Sequence, residues 1–227
     1  MKTAITVLLL IVATLVLSAP FLSGEKPAVK PVTGLPWQIE VLPEGNSRVF
    51  GLTLARSTLG DARRQFGMEM EIAVVAAPGE SGALEAYSSS VTAGAIMGKI
   101  ILVADVRRET VAQLRQRAIK SEYMDSSTRK YSLHPDDLAL AWRAPIAGIA
   151  FIPAVSLDEQ TVLGRFGDPD ERIRVDERVE HFLYPDKGLD LAIDSQGKEV
   201  LQYVAPRHFA RLREPLIKTS AANTHGP

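Results

Sequence analysis

The sequence predicts an α+β fold made of two tandem helix-on-antiparallel-sheet units (β-α-β-β-β), with a helical insert between them. Three observations carry this. Residues 179–204 read as a hairpin meander whose two turns are marked by Pro185-Asp-Lys-Gly188 and Asp194-Ser-Gln-Gly197. Just before it, Ser156 and Glu159 have capping-box spacing and open a helix that ends at Phe166-Gly167. A second Phe-Gly, Phe66-Gly67, stands one hundred residues earlier, again between a strand-like run and three strand candidates.

Along the chain, residues 1–24 carry a targeting segment. Lys2 is the sole charge before Glu25, and residues 4–22 are apolar apart from Thr6, Thr14, Ser18 and Pro20. A secretory signal peptide needs an apolar run of roughly 7–15 residues, and a single-span membrane anchor about 20. Both readings stay open, and both place the remainder outside the cytoplasm. Residues 25–46, with Pro27, Pro31, Pro36 and Pro43, read as a Pro-rich tether.

The first unit covers residues 47–106. It offers a strand at 49–54, a helix capped by Ser57 with Leu59, Ala62 and Phe66 on one face, and strands at 69–75, 83–88 and 96–104. The insert, residues 107–144, reads as a helix over 109–124 and a shorter one that His134-Pro135 opens and Trp142 ends. The second unit covers residues 145–207 and begins with a strand at 146–152. In its meander Pro185 presets a turn, Gly188 releases it, and Gly197 is expected to supply a positive φ. Alternation puts Leu189, Leu191 and Ile193 on a core face and Asp190, Ala192 and Asp194 on a solvated one. Residues 208–227 read as a polar tail, disordered from Lys218 onward.

The run Phe166-Gly-Asp-Pro169, with Phe182-Leu-Tyr184-Pro-Asp-Lys-Gly188 and Asp194-Ser-Gln-Gly197, resembles the SmpA/OmlA-type envelope lipoprotein domain. That domain is similar to one repeat of the β-lactamase-inhibitor-protein fold, itself a tandem duplication. The resemblance is clear over about residues 155–205 and rests on element order alone over about 48–105. It implies a periplasm-facing binding module that holds a protein partner, and it supplies no catalytic residue. The chain departs from the lipoprotein pattern in lacking a lipidated cysteine, in being duplicated and in carrying the insert.

Composition narrows the chemistry. With no cysteine there is no disulfide, thiolate nucleophile or zinc–thiolate site, and a net charge of -1 gives no field that would draw nucleic acid. Pro78-Gly-Glu-Ser-Gly82 lacks the spacing of a nucleophile elbow and reads as a hairpin loop. His134 with Asp136 and Asp137 reads as a helix start with acids at the positive end of the dipole. His181 reads as a core-edge histidine with a hydrogen-bond partner.

No catalytic, cofactor or metal site is therefore expected. The mixed-sign ribbon of Asp168, Asp170, Arg172, Arg174 and Arg178 is the candidate partner-binding edge. Arg207, Arg211 and Arg213 are candidate contacts for anionic lipid headgroups. The expected function is a non-enzymatic protein-binding or scaffolding module with an envelope protein partner. It would be either anchored in the inner membrane facing the periplasm or secreted to the periplasm. A lipid or small-molecule carrier with a groove between the units is the alternative, and an enzyme using His181 or His134 the third reading.

Overall fold

The computed structural model describes residues 32–124 and 127–224. They form an α+β fold: a ten-stranded sheet, a small three-stranded sheet and five helices. The small sheet holds β1 (Glu40–Val41), β2 (Ser47–Val49) and β3 (Leu52–Thr53). Helix α1 (Leu59–Phe66) follows, then β4 (Glu71–Ala76), β5 (Ala83–Ala93) and β6 (Ile96–Ala104). Next come α2 (Arg108–Gln116), β7 (Lys120–Tyr123), β8 (Arg129–Ser132) and α3 (Pro135–Trp142). The chain continues through β9 (Ile146–Pro153), α4 (Glu159–Phe166), β10 (Glu171–Arg174), β11 (Val179–Tyr184), β12 (Leu189–Asp194), β13 (Val200–Val204) and α5 (Ala210–Thr224).

In the large sheet the strands lie in the order β10-β11-β12-β13-β9-β6-β5-β4-β8-β7, and every neighbouring pair is antiparallel. The halves join edge to edge where β6 pairs with β9, with Ile100 opposite Phe151 and Leu102 opposite Ile149. One core, on the first face of the sheet, runs across that seam through Leu84, Ile100, Phe151, Phe182 and Tyr203. Helices α1 and α4 contribute Leu59, Ala62, Val162 and Phe166 to it.

Several expectations are corrected. Residues 49–54 do not form one strand. Phe50 and Gly51 take φ of 55° and 79°, which folds the run into a two-residue hairpin between β2 and β3. Phe50 holds that conformation while buried, with its ring 5.3 Å from those of both Phe151 and Tyr203. The cap of α1 is Thr58, in a capping box with Asp61, and the cap of α4 is Asp158. Ser57 instead accepts from the Thr53 backbone, and Ser156 donates to Glu199.

The insert is not purely helical. α2 stops at Gln116, and residues 120–123 pair with β8, because the backbone N–H of Ile119 finds the Ser132 carbonyl and extends the sheet. Part of the expected tether is packed down: the Tyr203 hydroxyl donates to the Pro36 carbonyl at 3.0 Å, and Trp37 lies edge-on to Phe166. The expected polar tail contains α5. Among the described residues no helix is long and apolar enough to cross a membrane, so the transmembrane-helix expectation is withdrawn. The stretch 4–22 that prompted it lies outside the described residues.

The meander follows its marked turns, with one difference of mechanism. Gly188 has φ of 68°, as its turn requires. Gly197 is absent from the left-handed residues. It is needed because a side chain there would collide with the Asp194 carboxylate, which is turned in to accept from the Gln196 backbone.

Candidate functional site

Strand alternation assigns a second face to the sheet, opposite the core, and that face is divided in two. Over β10 to β13 it is covered by α5. Phe209, just ahead of the helix, and Leu212 and Leu216 along it pack against Ile173, Leu183 and Val204. These positions follow helical spacing and make a short apolar stripe. Arg213, on the same helix, forks onto Glu171 at 2.6 and 3.0 Å, and the Ser220 hydroxyl donates to the Arg174 carbonyl at 3.0 Å.

Beside this apolar patch lies a polar network. His181 and Asp190 share the second face, and both are buried. His181 Nδ1 is 2.8 Å from Asp190 Oδ1, and Gln202 Nε2 donates to Asp190 Oδ2 at 3.1 Å. Asp190 is therefore not on a solvated face as alternation suggested, since Leu183 and Gln202 flank it in register. With Asp190 ionised, the short contact requires the histidine proton on Nδ1. That is how a carboxylate orients a histidine base, but among the described residues no hydroxyl is hydrogen-bonded to His181.

The other half of the second face, over β4, β5, β6 and β9, is the site of interest. Register places Val75, Ile101, Val103, Ala150 and Ile152 there, all partly exposed. Helix α5 reaches the border of this half. With Val103, Ala150 and Gln202, Arg211 and Leu212 line a cleft of about 200 Å³ at its border. Near the middle sits Glu85, opposite Val103 on β6 and Ala73 on β4. Among the described residues no hydrogen bond or ion pair reaches its carboxylate, and burial pushes its pKa up to about 7. Register puts Glu71, Tyr87, Lys99 and Lys130 on the same face, with Lys130 paired to Glu71, so the apolar part is the strip around Glu85. Such a strip with an acid set into it can take an apolar partner that brings a cation.

The residues picked from sequence fall elsewhere. Arg172 and Arg174 lie on β10, the edge strand, where Arg172 bonds Glu159 at 2.7 Å and stacks over the Phe182 ring, and Arg174 faces Glu180 at 3.5 Å. Arg178 pairs with Asp194. Asp168 and Asp170 precede the strand; burial pushes the Tyr184 hydroxyl up to about 12, and the charge of these two acids adds to it. All three arginines of this ribbon are thus satisfied within the chain, which suits an edge kept from pairing with other strands.

Arg207, Arg211 and Arg213 do not converge. Arg207 is tied to the Glu44 carbonyl, Arg213 to Glu171, and Arg211 rims the cleft by α5. Sequence reading passed over Glu85. Its signal was available: a lone acid between Leu84 and Ala86 in an otherwise apolar strand start.

No family model, curated protein or solved structure matches the chain.

Proposed function

We propose that this chain is a non-enzymatic, envelope-facing protein-binding module whose partner docks on the open half of the second sheet face. The observation that carries the reading is the Glu85 carboxylate, unpaired among the described residues and set among Ala73, Val75, Ile101 and Val103. Charge complementarity selects the occupant: a partner segment with apolar side chains around one Lys or Arg. The manner of docking has a precedent within the molecule, since α5 lays an apolar stripe on the adjoining half of the same face. The apolar start of the chain and the turn-residue resemblance support a location outside the cytoplasm.

We read the two halves as a duplication, with α1-β4-β5-β6 matching α4-β11-β12-β13. In both, the last strand of the meander lies nearest the seam and the first lies furthest from it. Superposition of the halves in an experimental structure tests this, and helices that fall on unrelated sheet positions would refute it.

The binding surface is tested with a photo-crosslinking residue at position 103, compared with one at position 177 on the ribbon. A discrete adduct from 103 alone, lost in Glu85→Lys, is the expected result. Adducts from 177 and none from 103 would overturn it. A reporter active only after export, fused behind residues 1–24, tests the location.

A further inference from the structure

A second site lies at the far end of the sheet, on its first face. Tyr123 on β7 and Arg129 on β8 are opposite each other in register, and Tyr131 is two residues further along β8, on the same side. The Arg129 guanidinium stacks 4.3 Å from the Tyr123 ring centroid and donates to the Tyr123 hydroxyl at 2.7 Å. Arg115, in the last turn of α2, stacks 5.1 Å from the Tyr131 ring and donates to the Glu80 carbonyl at 3.1 Å. The result is two arginines, each set against a tyrosine ring, lining one cleft of about 460 Å³ with Ser127 and the 76–81 loop.

Neither guanidinium has a carboxylate partner among the described residues; other arginines, such as Arg63 and Arg165, also lack one, and what sets Arg115 and Arg129 apart is that both line one cleft. A ring contact and a hydrogen bond hold each guanidinium in place. A guanidinium has more N–H donors than these contacts use, and holding it in place lowers the ordering cost of a charge-assisted contact to an oxyanion. Among the described residues Glu80 is the one acid that lines the cleft.

We infer that this Arg115–Arg129 cleft binds a phosphate group, carried either by a lipid headgroup or by a soluble phosphoester. The inference does not depend on the protein-binding face, which lies on the opposite side of the sheet.

Titration of the full chain with inorganic phosphate, followed by NMR or calorimetry, tests it. Saturable binding is expected, weakened about tenfold by Arg115→Gln and by Arg129→Gln, each of which removes a charge-assisted contact. Glu80→Gln should tighten binding. Arg165→Gln, at an arginine stacked on Trp37 outside the cleft, should leave it unchanged. Flotation with phosphatidylglycerol vesicles separates the sources: arginine-dependent capture identifies a lipid headgroup, and phosphate binding without capture a soluble phosphoester. Binding that is not saturable, or that survives both arginine substitutions, would overturn the inference.

Discussion

His181 Nδ1 and Asp190 Oδ1 face each other at 2.8 Å on adjacent strands, both buried and flanked by Leu183, which α5 covers. Removing one partner of a buried ion or hydrogen-bond pair strands the other. Asp190→Ala should therefore cost about 3–5 kcal/mol, since it leaves both His181 and Gln202 without an acceptor. Asp190→Asn keeps one acceptor oxygen and should cost less. Urea denaturation of the single and double variants with His181→Ala checks this, and additive losses would show that the two residues are not coupled.

Helix α5 should be a distinct cooperative element. Phe209 is buried against Ile173, Leu183 and Val204, so Phe209→Ala should cost about 3 kcal/mol. Leu216→Asp places a charge on the same stripe and should detach the helix. Hydrogen exchange reads the result directly: protection should fall in β10 and β11, which α5 covers, and persist in β5 and β6, which contribute nothing to the α5 stripe.

What was legible in the sequence follows from what is local. The meander turns are written in residues that set φ or accept a neighbouring N–H, and β11, β12 and β13 lie where those turns put them. The helix over 109–124 failed because Val111 and Leu114 continue in helical phase to Ala118. The competing gain, pairing of 120–123 with β8, comes from a segment distant in space until the chain folds. Helix α5 was hidden by Pro215 and a polar surround, although Phe209, Leu212 and Leu216 already spelled its buried stripe. The ribbon at 168–178 drew attention through charge alone, and charge alone does not say that each arginine is already paired.

Thr58 and Asp61 give a clean test of the cap. Thr58→Ala should cost about 1 kcal/mol, because it removes the acceptor for the Asp61 backbone N–H. The Thr58 backbone and hydroxyl hold the Asp61 pKa below its usual 3.8. A lowered acid stabilises the folded state above its unfolded pKa and loses that contribution as pH falls through the folded value. Asp61→Asn should therefore flatten part of the acid limb of unfolding, monitored by circular dichroism.

Gly188→Ala should be far costlier than its single methyl suggests. The φ of 68° already disfavours a side chain, and a Cβ there would collide with the Val204 carbonyl and the Pro206 ring. That carbonyl cannot move freely, because it belongs to β13, which pairs with both β12 and β9. Loss of soluble, cooperatively unfolding protein is the expected outcome, and thermal melts matching the parent would show that the turn can shift at no cost.

Glu85 should set a stability change with pH that is opposite in sign to the capping acids. Its pKa is raised from 4.5 to about 7 in the folded chain. Between those values the folded state holds a proton that the unfolded state releases. The contribution is fully present below about 4.5, falls as pH rises, and is lost once pH passes about 7. Asp61, Asp158, Asp176 and Asp194 have lowered values and act at the acid end. His208, lowered by burial and by nearby arginines, titrates with the reverse sign but is common to parent and variant. Glu85→Gln should therefore gain stability over the parent as pH rises from 4 to 8, read from paired chemical denaturation curves. A partner that brings a cation to the ionised carboxylate should also bind more weakly at pH 5 than at pH 8, and Glu85→Gln should abolish that difference. A pH-independent gap between parent and variant would mean that the acid is solvated rather than set into the face.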